Sequence, residues 1–261
     1  MRIETKIMLW INSKTIASAA RNSGSLHPIA TDETVLKQDG VEFEVNVINK
    51  NIFKKISISK TQGNPFLPYD QDMYVKDLGE NHVVLLNKFP VLSPHILLCS
   101  KDYIEQIAPL TLNDFEAWLA CFETEDTLGF YNGGRGAGAS QPHRHMQLIK
   151  KFAPIESLIF QQFLPFKNAT GIFDKFSPDS CYDFYLSAMK QLNLYGEKEC
   201  LPHNILLTNR WMMIVPRSKV KHLDIFLNGL NYAGFFLLKH QDQLADLSAF
   251  GCFNLLAECA E

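Results

Sequence analysis

The sequence has no long apolar run. No stretch approaches the roughly 18 residues that a membrane-spanning helix needs. The N-terminal run Ile7-Met8-Leu9-Trp10-Ile11 is shorter than the apolar centre of a secretory leader, and no small-residue cleavage pattern follows it. Charge of one sign is also scarce. Twenty-five basic and 28 acidic residues leave a formal net charge of −3, which removes the electrostatic footprint of a general nucleic-acid binder. The six cysteines (Cys99, Cys121, Cys181, Cys200, Cys252 and Cys259) form no C-x-x-C pair, and Cys99 sits inside the apolar run Ile96-Leu97-Leu98-Cys99. They read as buried free thiols in a reducing compartment, with the cytoplasm as the expected location. Internal repeats and low-complexity tracts are missing too. Neither nucleic acid nor a membrane is expected as a partner.

What is present is an ordinary globular composition, 46% hydrophobic and 20% charged over 261 residues. A chain of this length buries roughly three quarters of its unfolded surface and needs no disulfide or structural metal to fold. The first twenty residues predict a helix that stops near Asn22-Ser23-Gly24. Val41 to Ile48 alternates apolar with polar residues and predicts a half-buried strand. Residues 49–68 read as a lysine-bearing loop ending in Asn64-Pro65-Phe66-Leu67-Pro68. Short strands are expected at 82–87, 95–99, 128–131 and 143–149, and helices at 111–124, 154–163, 181–192 and from 241 onward. Asn204 to Thr208 and Trp211 to Val215 read as a hairpin turning at Asn209-Arg210. Hairpins mixed with helices indicate an α+β fold and not a doubly wound parallel sheet.

The stretch from Phe130 to Ile149 carries the chemistry. Alternation on a strand puts His143, His145 and Gln147 on one side and Arg144, Met146 and Leu148 on the other. A turn holding Gly133, Gly134, Gly136 and Gly138 precedes them and is expected to offer backbone N–H groups to an anion. A neutral imidazole beside an anion cradle is suited to nucleophilic attack on phosphorus. The H-x-H spacing alone equally suits a structural pair or half of a metal site, and a zinc hydrolase remains open on spacing. No other H-x-H and no H-E-x-x-H supplies further ligands.

Asn132 to Gln147 resembles the active-site segment of the ATP adenylyltransferases, or diadenosine tetraphosphate phosphorylases. These belong to the histidine-triad superfamily, in the branch shared with galactose-1-phosphate uridylyltransferase. Leu86-Asn87-Lys88-Phe89-Pro90-Val91, Asn64 to Pro68, Leu26-His27-Pro28-Ile29 and Asn204 to Lys219 resemble further blocks of that family in the same order, so the similarity covers nearly the whole chain. The resemblance implies a histidine-triad-like fold with a twisted antiparallel sheet and flanking helices. It also implies a single catalytic unit over 1–261, with the H-x-H-x-Q motif in an N-terminal part, 1–165, and a nucleotide-binding segment, 198–261, packed on it.

The reaction it implies is reversible phosphorolysis of diadenosine tetraphosphate to ATP and ADP through a covalent AMP-histidine. His145 matches the nucleophile, His143 a residue that orients it, and Gln147 the position where hydrolase branches carry a third histidine. Lys54, Asn87, Lys88, Asn132, Gly138, Ala139, Ser140, Asn204, Thr208, Met213, Arg217 and Lys219 match substrate-binding positions. The implied ligands are ATP, ADP, diadenosine tetraphosphate and phosphate. No tightly bound cofactor or metal ligand is implied, and Mg²⁺ is expected as companion of the nucleotide. The alternatives are phosphorolysis or uridylyl-type transfer of a nucleotide sugar and a catalytically silent nucleotide sensor. His203 and Arg135 depart from the family's usual tyrosine and proline.

Overall fold

The computed structural model describes residues 9–49, 63–197 and 199–260. Helix α1 (Leu9–Ser23) buries Leu9, Trp10, Ser13, Ala17 and Ala20 along one stripe, and Gly24 at φ 80° ends it. Strands β1 (Thr31–Gln38) and β2 (Val41–Ile48) then form a hairpin around Asp39-Gly40, both at positive φ (50° and 78°). That turn suits the twist of the flanking strands. The Asp-Gly dipeptide signals the hairpin in the sequence. Strand β1 was not expected because its residues are mostly exposed and do not alternate.

Next come β3 (Tyr74–Leu78), β4 (His82–Leu86), β5 (His95–Ser100), α2 (Leu112–Leu119), β6 (Thr127–Gly133), β7 (His145–Lys150), α3 (Glu156–Phe160), β8 (Ala169–Ile172) and α4 (Pro178–Gln191). The chain continues with β9 (His203–Leu207), β10 (Trp211–Pro216), β11 (Lys221–His222), β12 (Ile225–Phe226), β13 (Phe235–Leu238), α5 (Asp242–Phe250) and α6 (Cys252–Cys259). Eight strands form one antiparallel sheet in the order β3-β4-β5-β7-β6-β9-β10-β8. The β6–β9 pairing joins the two halves of the chain within it. A smaller sheet, β1-β2-β13, lies beside it, and β13 runs parallel to β2. The fold is α+β, a large antiparallel sheet with flanking helices.

Alternation along the central strands divides the core. Val84, Leu98, Met146, Leu148, Ile205 and Met212 point to one face, where α1, α2 and α4 cover them. Leu128, Phe130, Ile149, Leu206 and Met213 point to the other, packed against β2, β13 and α6. A third cluster on that second face, Phe66, Val83, Leu85, Leu97 and Cys99, stands apart from the larger one. His145 and Gln147 lie on β7 between them. All six cysteines are free and buried.

Several expected bounds shift. Helix α2 starts at a Thr111–Asp114 capping box, as its sequence suggests, but stops at Leu119. There Cys121 N–H and Phe122 N–H bond three residues back, to Trp118 and Leu119, and tighten the last turn. The C-terminal helix is two helices, broken by Gly251 at φ 96°. Strand β7 starts at His145, not His143. Residues 142–144 bond instead to the 104–106 segment, through Arg144 N–H to Ile104 O and Gln106 N–H to Pro142 O.

Candidate active site

Two cavities open on the face of the sheet that bears His145. The first, about 480 Å³, lies between the sheets and is lined by Asn46, His95, Phe130, Asn132, Gly138, Asn228, Phe235 and Lys239 among others. The second, about 440 Å³, is lined by Asn64, Phe66, Tyr69, Lys88, Gln141 and His145 among others. Asn87, Phe89, Ser140 and Gln147 belong to both. Each volume is in the range of small-molecule sites.

His145 is almost fully buried. Its Nδ1 stands 2.8 Å from the backbone carbonyl of His143. A carbonyl only accepts, so Nδ1 carries the proton and Nε2 carries the lone pair. Nε2 has no hydrogen-bond partner among the described residues. Burial pushes the pKa of His145 down to about 4, so the ring is neutral at physiological pH. The motif's first histidine therefore holds the second through its main chain, not through its ring. The His143 ring faces elsewhere. Nε2 donates to Ser100 O at 2.8 Å, and Nδ1 accepts from Asn64 Nδ2 at 2.9 Å. Both rings pack against Phe66, with centroids 5.5 and 5.4 Å away, as their shared side of the chain implies.

Strands β6 and β7 separate as they approach the site, because their last paired residues are Phe130 and Gln147. Gln106, which the sequence did not single out, bridges the opening. Its Oε1 accepts from His145 N–H at 2.8 Å, and its Nε2 donates to Asn132 O at 2.9 Å and His145 O at 3.2 Å. Asn132 is held as firmly. Its Oδ1 accepts from Asn204 Nδ2 at 2.9 Å and from Gly229 N–H at 2.8 Å. Its Nδ2 is then the polar group it brings to the first cavity.

The glycine turn differs from the expected cradle. It closes on itself as a 3₁₀ turn, in which the N–H groups of Gly134, Ala137, Gly138 and Ala139 all bond within residues 132–139. The N–H groups of Ser140 and Gln141 have no partner among the described residues, and these are the ones beside His145 and Gln147. Gly138 adopts φ 92°, and a Cβ there would lie 2.7 Å from Leu227 O. Only glycine lets the turn approach Asn228 this closely. Ala139 is buried behind the turn.

Of the basic residues that the resemblance matches to substrate-binding positions, Lys88 alone among the described residues borders one of these two cavities. Lys88 stands at the rim of the second cavity, in a long, exposed ion pair with Asp70 at 3.4 Å. Lys54 lies outside the described residues. Arg217 is buried. Its guanidinium donates to Asn204 Oδ1, Lys219 O and Cys259 O and lies 5.1 Å from the Tyr232 ring centroid, so it braces the scaffold. Lys219 pairs with Glu258 at the surface. Thr208 accepts the N–H groups of Arg210 and Trp211 in the β9–β10 turn, and Met213 is core. None of Thr208, Met213, Arg217 or Lys219 lines either cavity. Asn204 Nδ2 donates to Asn132 Oδ1, and Asn87, which borders both cavities, donates its Nδ2 to His95 at 3.1 Å. His203 packs under Gly133 and Arg135 is exposed, so neither departure from the family pattern faces a cavity.

Residues that sequence reasoning missed are Gln106, His95, Asn46, the Asn228–Asn231 turn and Lys239. Asn228-Gly229 carried a turn signal, and the Phe235–Leu238 run was too short to separate strand from helix by periodicity. Among the described residues, no group of three His, Cys, Asp or Glu is placed to hold a metal ion.

The Ap4A phosphorylase N-terminal domain matches residues 2–167, and the ATP adenylyltransferase C-terminal domain matches residues 159–261. The chain is 27% identical over 299 residues to diadenosine 5′,5‴-P1,P4-tetraphosphate phosphorylase 2 of Saccharomyces cerevisiae, covering 94% of this chain and 91% of that protein. It is 28% identical over 204 residues to the same yeast's protein APA1, covering 63% of this chain. The crystal structure of yeast Ap4A phosphorylase Apa2 in complex with Ap4A superposes with a TM-score of 0.82 at 24% identity, over 97% of each chain. The complex of Apa2 with AMP gives the same score over 97% and 96%. Since the N-terminal domain match alone spans more than half of the residues, the chain belongs to the Ap4A phosphorylase, or ATP adenylyltransferase, family.

Proposed function

We propose that the protein catalyses reversible phosphorolysis of diadenosine tetraphosphate, giving ATP and ADP through an AMP-histidine intermediate. The observation that carries this reading is the fixed tautomer of His145, which leaves a lone pair on Nε2 in a side chain that lines the second cavity together with Gln147, Ser140 and Gln141, the N–H groups of the last two having no partner among the described residues. In the first step the Nε2–phosphorus bond forms at the α-phosphorus of one adenylyl half. The bond from that phosphorus to the bridging oxygen breaks, and ATP leaves with the electron pair. In the second step an oxygen of inorganic phosphate attacks the same phosphorus, the nitrogen–phosphorus bond breaks, and ADP leaves.

Both displacements need positioning and charge compensation more than covalent assistance. Ser140 N–H, Gln141 N–H and the Gln147 amide serve the non-bridging oxygens. The apolar walls of the first cavity, Phe130, Leu230 and Phe235, suit a nucleoside. An amide at position 147 cannot deliver a proton as an imidazole does, so the intermediate persists until phosphate or a nucleotide arrives. Binding of Ap4A and AMP by the yeast relative supports the substrate class. Mg²⁺ would enter with the polyphosphate, and the reaction is placed in the cytoplasm.

The test is to mix the protein with labelled diadenosine tetraphosphate, with and without phosphate, and to quench in alkaline detergent. Without phosphate, one equivalent of ATP and one of protein-bound AMP are expected. With phosphate, ATP and ADP accumulate. His145→Ala should give neither. Substrate conversion with no trapped label would overturn the covalent route, and AMP plus ATP formed without phosphate would make the protein a hydrolase.

A further inference from the structure

The Gln147 amide could present either its oxygen or its nitrogen to a phosphate, and only the nitrogen is useful. We propose that His95, fixed by Asn87, is the positioning residue that turns the donor end of Gln147 toward the reacting phosphorus. The proposal rests on the reading of the site as a nucleotidyl-transfer centre.

The argument starts at a group that cannot change roles. Phe89 N–H donates to Asn87 Oδ1 at 3.0 Å. That fixes the amide of Asn87, so its Nδ2 is the atom 3.1 Å from His95 Nδ1. Nδ1 must therefore accept, and the proton of His95 resides on Nε2. Nε2 lies 3.0 Å from Gln147, whose facing atom must then be the acceptor Oε1. The Gln147 Nε2 is left pointing away from His95. It has no partner among the described residues, in a side chain that borders both cavities. Each assignment follows from the one before, down to a main-chain N–H.

A protonated His95 would carry a hydrogen on both ring nitrogens and oppose the Asn87 amide. Burial acts against that state and lowers the pKa of His95 to about 4, with neutral His145 close by on β7 and Lys239 on the far wall of the first cavity. The Phe130 ring, 5.6 Å away between centroids, closes another side. Asn64 repeats the arrangement with Phe66 N–H and His143, but that chain ends on the carbonyl of Ser100, which lines neither cavity. Only the His95 chain ends on a group that can touch substrate.

Two measurements test this. Nitrogen-15 NMR of histidine-labelled protein at neutral pH, with His95 assigned by loss of its signal in His95→Gln, should show a neutral ring protonated at Nε2. A proton on Nδ1, or an imidazolium, would overturn the proposal. Second, the single-turnover rate of AMP-enzyme formation should fall about tenfold or more in His95→Leu with nucleotide affinity little changed. The double variant with Gln147→Ala should be no slower than Gln147→Ala alone. His95→Gln, whose amide nitrogen reaches the place of Nε2, should recover most of the rate. Multiplying effects, or a loss confined to affinity, would refute the positioning role. If His95→Leu does not fold, the comparison of His95→Gln with Asn87→Ala carries the same test. If the wild type transfers no AMP, the functional reading fails, and the tautomer of His95 still decides this proposal.

Discussion

Arg144 and Asp114 meet at 2.8 Å on the face of the central sheet opposite to His145, both almost fully buried. Arg144 Nη2 also donates to Ala108 O and Pro109 O, and His82 Nε2 donates to Asp114 Oδ1 at 2.9 Å. The residue next to His145 is thus anchored in the rear layer through the N-terminal cap of α2. Removing the carboxylate leaves a buried guanidinium without its counter-charge. Asp114→Ala should destabilise the protein by about 3–5 kcal/mol, measured by denaturant unfolding. An unchanged midpoint would show that the pair contributes nothing.

Acid should weaken the fold before it reaches most carboxylates. Burial lowers the pKa of His95, His145 and His203 from 6.5 to about 4. Above the unfolded value, folded and unfolded chains bind the same number of protons at these rings. Below it the unfolded chain binds more, so stability falls as pH drops from about 6.5 toward 4, by up to about 3 kcal/mol for each ring. At Asp114 burial opposes ionisation, but the His82 hydrogen bond, the Arg144 charge and the Thr111 contacts outweigh it and hold the pKa below the usual value. That contribution is complete above the unfolded carboxylate pKa and disappears at lower pH. Urea midpoints across this range should decline continuously. A flat profile above pH 5 would contradict the burial of the histidines.

Gln106 replaces strand pairing where β6 and β7 part. Gln106→Leu keeps the volume but takes the partner from His145 N–H and leaves Asn132 O with only its bond from Gly134 N–H. A loss of about 1–3 kcal/mol in stability is expected, together with a lower kcat. An active variant with only its stability reduced would place Gln106 outside the catalytic support.

Lys88 and Lys219 separate the reading of the sequence from that of the structure. Lys88→Ala should raise KM for diadenosine tetraphosphate, because its amine stands at the rim of the second cavity in an ion pair that substrate phosphate can displace. Lys219→Ala should leave KM unchanged. The reverse result would put the polyphosphate on the other end of the molecule.

Gly138→Ala forces a side chain into a left-handed residue at 2.7 Å from a carbonyl oxygen. The strain is worth about 1–3 kcal/mol. Because Asn228 lies against the same turn, a higher KM should accompany the lower melting temperature. Normal affinity would mean that the turn does not shape the first cavity.

The strand bearing His145 and Gln147 was legible in the sequence because alternation is a local property, and one residue of register sets which side chains share a face. The capping box of α2 and the β9–β10 hairpin were legible for the same reason. The partners of these residues were not. The resemblance makes Arg217 a substrate-binding residue, yet its donors are taken by Cys259, Lys219 and Asn204, the first of them 42 residues away. His95 lies 52 residues from Gln147, and nothing local links them. The four-residue strand β13 has no alternation to detect, and it forms by pairing with β2, nearly two hundred residues earlier.

That parallel pairing sets an order on the making of the protein. The first cavity takes Asn46 and Ile48 from β2 and Phe235, Phe236 and Leu237 from β13. A chain still emerging from the ribosome carries His145 well before β13 is synthesised. During that interval it holds His145 without the β13 wall of the first cavity, and that cavity closes only after Phe235–Leu238 has been made.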